Sequence, residues 1–221
     1  RPADVGQLPD GDRLDVDAPA EPVRPSATRA EALRTGRFWI LAAASSSVGM
    51  LVTALNFHQI SMLGEAGLSS TEAAVMFLPQ VIGAAVSGVL FGHLADRLTG
   101  RSLIPLVMGL LALSLLSTLT LAPGATVILY AITLGAAGGA MLTVTTTLLP
   151  RWFGLGHIGA IQGTSTLINV ASTALGPVVF AVARDALGSY GIAAAWLALI
   201  PAAVAGVAAT MRPMRADRTE A

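Results

Sequence analysis

ATVILYAITLGAAGGAMLTVTTTLL, residues 125–149, runs for twenty-five positions without a charged side chain. At 1.5 Å per residue, a helix of that length covers about 37 Å, more than the roughly 30 Å of a bilayer's hydrocarbon core. Inside hydrocarbon, every backbone N–H and C=O needs a partner from the chain itself, so this stretch reads as a transmembrane helix. The alternating ten-residue segments of a membrane β-barrel are absent.

The same pattern recurs along the chain. Apolar stretches cover 38–63, 72–95, 103–122, 125–149, 158–183 and 190–211. Between 38 and 211 the charged residues are Glu65, Glu72, Asp96, Arg97, Arg101, Arg151, Arg184 and Asp185, each in a connection or at a helix end. The whole chain is 12% charged, about half the share in a soluble domain, and its mean hydropathy is +0.71. The expected fold is an all-α membrane protein of six transmembrane helices.

Several function classes fall away. Net charge is zero, which leaves no global attraction for nucleic acid. There is no cysteine, so thiolate metal sites and cysteine nucleophiles are excluded. No H-E-x-x-H, G-x-S-x-G or pair of intramembrane aspartates occurs, so no enzyme, metal or cofactor is expected.

Residues 1–37 contain seven acids, six arginines and five prolines. They offer too little apolar surface to offset the entropy of ordering, so this segment is expected to be mostly disordered, with a short helical piece around Ala30–Arg37. Residues 212–221 form a polar tail. Ser69 and Glu72 have the spacing of a capping box. Ala122-Pro123-Gly124 reads as a tight turn. If the start is cytoplasmic, ten arginines (24, 29, 34, 37, 97, 101, 151, 212, 215 and 218) lie inside and only Arg184 outside, as the positive-inside rule requires. Both ends are then cytoplasmic.

Uncharged polar residues are spread unevenly. The first stretch has Asn56, His58 and Gln59, and the second has Gln80. The fourth has Thr143, Thr145, Thr146 and Thr147, and the fifth has Gln162, Ser165 and Asn169. Amides avoid lipid. Helices one, two, four and five are therefore expected to surround a cavity, with three and six peripheral. Each amide either lines that cavity or ties two helices together. His58 either carries a proton or pairs with an anion, or it is a neutral histidine bonded at a helix end. The G-x-x-x-G pairs Gly88/Gly92, Gly135/Gly139 and Gly159/Gly163 suit close helix packing. Gly176-Pro177 should weaken or kink the fifth helix. GVLFGHLADRLTG (88–100) and GPVVFAVARDALG (176–188) echo each other at matching points of two three-helix repeats, and such inverted repeats mark transporters.

GHLADRLTGR (92–101) resembles the loop signature of the major facilitator superfamily, G-x-L-A-D-R-x-G-R-R/K. Gly92, Leu94, Ala95, Asp96 and Arg97 match in place and Arg101 matches the final basic position; Thr99-Gly100 departs, with its glycine one place late. RWFGLGHIGAIQG (151–163) is similar to the loop between that family's helices ten and eleven. NFHQISMLGEAGLSSTEAA (56–74) and ALGPVVFAVARDALGSY (174–190) resemble helices seven and eleven of its bacterial oxalate/formate and monocarboxylate branch.

The resemblance implies the C-terminal half of a twelve-helix carrier, helices seven to twelve, with residues 1–37 as the linker between halves. It implies a small solute, such as a carboxylate, moved by alternating access across the bacterial inner membrane. A proton is a possible co-substrate, and the N-terminal six-helix half is the partner. Cavity candidates are Asn56, His58, Gln59, Gln80, Gln162 and Asn169. The conformational-switch loop is Gly92, Asp96, Arg97 and Arg101. The acid–arginine pair of animal monocarboxylate carriers has no match in the second stretch here. A half-size protein acting as a homodimer, either a channel or an assembly subunit, is the alternative.

In the family the loop acid lies beside a helix end of the facing half, where the helix dipole stabilises it. The alternative is that these charges only fix topology. If Asp96 is a latch, Asp96→Asn keeps insertion and orientation and lowers transport by the full protein. Unchanged transport would leave topology as its only role.

Overall fold

The computed structural model describes residues 26–211, and these form helices with no strand. The helices are α1 Arg29–Leu33, α2 Gly36–Glu65, α3 Ser70–Val75, α4 Phe77–Arg97, α5 Gly100–Ser117, α6 Ala125–Phe153, α7 Ile158–Leu187, α8 Tyr190–Leu197 and α9 Leu199–Ala209. A 3₁₀ turn, Thr118–Thr120, extends α5. Six spans are long and apolar enough to cross a bilayer: α2, α3 with α4, α5 with its turn, α6, α7, and α8 with α9. They coincide with the six stretches expected from hydropathy.

The helix ends are set by local chemistry. Gly154 and Gly188 both have φ 73°, and their N–H groups donate to the carbonyls of Pro150 and Arg184. These are glycine caps, which need the left-handed region that glycine tolerates. Helices α6 and α7 therefore run past the apolar limits, to Phe153 and Leu187. The Ser69–Glu72 capping box forms: the Glu72 carboxylate accepts from the Ser69 N–H at 2.8 Å and from its hydroxyl at 2.7 Å.

Two spans break at Met76 and Ala198. Pro79 and Pro201 lie four residues after Val75 and Leu197, the last residues of α3 and α8. A proline cannot donate to the carbonyl four residues back, which explains both interruptions. Pro177 acts otherwise, since α7 continues through it as one helix.

Most of the expected disorder in 1–37 lies outside the described residues, as do the tail and Arg24, Arg212, Arg215 and Arg218. Residues 26–35 are ordered. Thr28 and Glu31 form a second capping box at the start of α1. The Thr28 backbone N–H and hydroxyl donate to the Glu31 carboxylate, holding it below its ordinary pKa. The Ala27 N–H donates to the Phe153 carbonyl at 2.9 Å, and the Ser26 hydroxyl oxygen accepts from the Gly156 N–H at 3.1 Å. The segment before α2 is thereby fastened to the α6–α7 turn.

Two helix pairs touch backbone to backbone. Where α4 crosses α6, a β-carbon on Gly83, Gly135 or Gly139 would overlap the carbonyl of Ile132, Gln80 or Ala84. Where α2 crosses α7, one on Gly176 would overlap the Met50 carbonyl. Of the expected glycine pairs, Gly135/Gly139 makes its close contact. Gly88 has only ordinary contact with Thr143, and Gly92, Gly159 and Gly163 face open space.

A polar cavity is walled by spans one, four and five, so spans three and six stand outside it as expected, while span two, expected among its walls, does not reach it. Span three is nevertheless well packed, with Leu103, Ile104, Val107, Met108, Leu111 and Leu115 of α5 fully buried against α6 and α9. Lack of amides shows that a helix needs no polar neighbour, not that it faces lipid. The least covered spans are those of α4 and α7, with 22% and 11% of their most apolar stretch buried against 56% for α2 and α6.

Gly135→Val should destabilise the bundle by about 1–3 kcal/mol, the usual cost of overpacking. Gly92→Ala should leave stability unchanged or raise it by up to about 1 kcal/mol, the helix-propensity gain. Reversible unfolding in mixed micelles reads both.

Candidate functional site

A cavity of about 370 Å³ opens between α2, α6 and α7. Its polar lining is Ser45 and Thr53 from α2, Thr145 and Thr146 from α6, and Gln162, Ser165, Thr166 and Asn169 from α7. No charged side chain lines it. The lining has helical spacing: 45, 49 and 53 on α2; 138, 142 and 145 on α6; 162, 166 and 169 on α7. Each set occupies one face, since residues three and four apart are neighbours.

Asn169 is about 16 Å into α7 at 1.5 Å per residue, near mid-depth. Its NH₂ group donates to the Ser45 carbonyl at 2.8 Å and hydroxyl at 2.7 Å, and its carbonyl accepts from the Thr173 hydroxyl at 3.3 Å. Gly49 makes this geometry possible, since a β-carbon there would stand 2.7 Å from the Thr173 hydroxyl. Asn169 thus lines the cavity, yet its amide is already engaged as a tie between α2 and α7.

Many hydroxyls are spent within their own helices, and some at the cavity are not. Ser47, Thr133, Thr143, Thr147, Thr164 and Ser172 donate to carbonyls one turn back on their own helices. Thr53, Thr145, Ser165 and Thr166, with the amide of Gln162, line the cavity and form no side-chain hydrogen bond among the described residues. The Thr145 hydroxyl is buried without a partner. A buried polar group left unpaired costs about 1–3 kcal/mol. The cavity therefore presents hydrogen-bonding capacity that the protein does not consume.

The other candidates lie elsewhere. Gln59 is fully buried; its NH₂ donates to the Ala73 carbonyl at 2.9 Å while its oxygen accepts from the Gln80 NH₂. These two amides join α2, α3 and α4 and do not face the cavity. The Asn56 side-chain oxygen is buried without a partner, also away from it. His58 places Nδ1 3.0 Å from the Ala54 carbonyl and packs its ring against Phe180 and Tyr190 at 5.2 and 5.8 Å. That is a histidine built into an aromatic cluster where α2, α7 and α8 meet. The cluster ends in Arg184, which lies over Tyr190 at 5.1 Å and bonds Glu65 at 3.1 Å and Asp185 at 3.3 Å.

At the opposite end, Asp96, Arg97 and Arg101 are exposed and make no ion pair or side-chain hydrogen bond among the described residues. Arg151 of α6 reaches beneath them and donates to the carbonyls of Ala95 and Leu98, at 3.1 and 3.4 Å. A helix leaves its last carbonyls unpaired, and a cation suits that negative end. Arg151 therefore caps α4 from a neighbouring helix, a role that one-dimensional spacing gave no sign of. Thr53 and Thr166 belong to the cavity as well, and their spacing with residues 49 and 169 marks its faces.

Asn169→Ala should lower stability by about 0.6–1.7 kcal/mol, the range for interhelical hydrogen bonds in membranes. Equilibrium unfolding in bicelles measures it, with Thr164→Ala, which is bonded only to its own helix, as the reference expected to show less. A scan against protein-family models finds no match to this chain, and a search of curated proteins finds none either.

Proposed function

We propose that this chain is one half of a secondary active carrier of the major facilitator type, and that the α2–α6–α7 cavity is its share of the substrate site. The observation that carries this reading is the group of unengaged hydroxyls, with Gln162, around a cavity inside a membrane-spanning bundle. Polar groups at such depth belong to a pathway or to a partner.

The packing supports the inverted-repeat reading. Exchanging spans one to three for four to six turns the α4–α6 pair into the α7–α2 pair, and these are the two backbone-tight crossings. The α5–α9 contact maps onto itself. The least covered spans, those of α4 and α7, are the faces on which the N-terminal half would seat, with substrate between the halves.

In this reading the protein moves a small solute across the bacterial inner membrane, with both ends cytoplasmic. The described arginines at 29, 34, 37, 97, 101 and 151 fall at one end and Arg184 at the other, which supports that orientation. No cation lines this half of the cavity. If the solute is a carboxylate, its charge is met by the other half.

Uptake by the intact carrier in proteoliposomes, across a panel of small carboxylates and neutral solutes with and without a pH gradient, tests the reading. Thr145→Val should cut uptake about tenfold, the worth of one hydrogen bond left unmade. Thr164→Val should leave it unchanged. Transport of no solute removes the carrier reading, and full uptake by Thr145→Val removes the cavity from it.

A further inference from the structure

A second, larger recess lies on the other side of α6. An apolar groove of about 600 Å³ runs between α4, α5 and α6. Its walls include Ile82, Val86 and Leu94 of α4 and Pro105, Gly109 and Leu113 of α5. The one hydroxyl in the wall, on Ser87, donates to the Ala136 carbonyl at 2.8 Å and offers nothing further. The surface is almost entirely hydrocarbon. From Leu94 to Ile82 it follows α4 for about 18 Å, close to the depth of one leaflet. A groove of this shape gains dispersion contacts only from a chain lying along it.

The charge at its mouth identifies that chain. Leu94 is three residues before Arg97, and Pro105 is four after Arg101. Both arginines are exposed and neither has a partner among the described residues. The N-terminus of α5 begins between them, and Thr99 makes no side-chain cap, so the positive end of that helix lies beside them, while Arg151 offsets the negative end of α4. Asp96 is the only acid in 96–101, which leaves that loop a net charge of +1.

We infer that this groove binds an anionic phospholipid, with one acyl chain along α4, α5 and α6 and its phosphate at Arg97 and Arg101. The site is separate from the α2–α6–α7 cavity and does not depend on the transport reading. It gives the charged loop a ligand of its own at the membrane surface.

Spin-labelled phosphatidylglycerol and phosphatidylcholine, at tracer level in phosphatidylcholine bilayers holding the purified protein, measure the site through the immobilised fraction. Phosphatidylglycerol should be preferred at least fivefold, about the value of one basic residue near the membrane surface. Arg97→Gln with Arg101→Gln should bring the two lipids level, whereas lysine at both positions should keep the preference. Gly109 lines the groove and has open space where a β-carbon would stand, so a side chain grown there, as in Gly109→Phe, projects into the groove. It should reduce the immobilised fraction of both lipids while circular dichroism stays unchanged. Equal binding of the two lipids by the unaltered protein, or a preference that survives the double glutamine variant, would overturn the headgroup contact. A Gly109→Phe protein that immobilises lipid as before would overturn the groove.

Discussion

Backbone contact at glycine organises this bundle. Between membrane helices there is no hydrophobic driving force, because lipid tails are as apolar as leucine, so close packing must supply the attraction. The chain meets that need at two crossings, α4 on α6 through Gly83, Gly135 and Gly139, and α2 on α7 through Gly176. These contacts fix how each helix is rotated about its axis. The α2–α7 crossing draws α7 toward α2, while α7 touches α6 little. The cavity is the space left between α6 and that pair. It follows from where glycine allows approach and where larger residues prevent it.

The spans were legible in the sequence because hydropathy and backbone satisfaction are both one-dimensional. The proline breaks at Met76 and Ala198 were legible in principle for the same reason, as a missing N–H acts four residues back. The site was only partly legible. An amide cannot face lipid cheaply, so Gln59, Gln80 and Asn169 are expected to turn toward protein, and all three do. That argument does not distinguish a packed neighbour from a cavity wall, and all three amides hold helices together. Asn169 does both. Threonine is the opposite case. It can be satisfied by bonding its own helix, as Thr147 and Thr164 are, so its presence gives no orientation. Which threonines remain unengaged depends on helix rotation, and that is set by the glycine contacts.

The two ends of the bundle use charge differently. At one end Glu65, Arg184 and Asp185 satisfy each other, with Tyr190 beneath the guanidinium. Arg184 and Glu65 are 39% and 53% exposed, and pairs so open to solvent contribute about 0–1 kcal/mol. The stronger restraint there is the packing of His58, Phe180 and Tyr190, with ring pairs worth about 0.5–1.5 kcal/mol beyond their burial. The ion pairs orient the loops more than they hold them.

At the other end the chain withholds its charges from itself. Arg151 is committed to the end of α4, and Gly100 lies beneath the Trp152 ring, which would overlap any larger residue. Together they clamp both sides of the 98–99 turn. Asp96, Arg97 and Arg101 are carried on that clamped turn, yet they are exposed and unpaired among the described residues. Long exposed side chains on a mobile loop would lose rotamer and backbone entropy together on binding a partner, while on a rigid turn only the side chains lose freedom. Fixing the backbone beforehand leaves three charges in one short loop ready to meet a group from outside the chain at little further entropic cost.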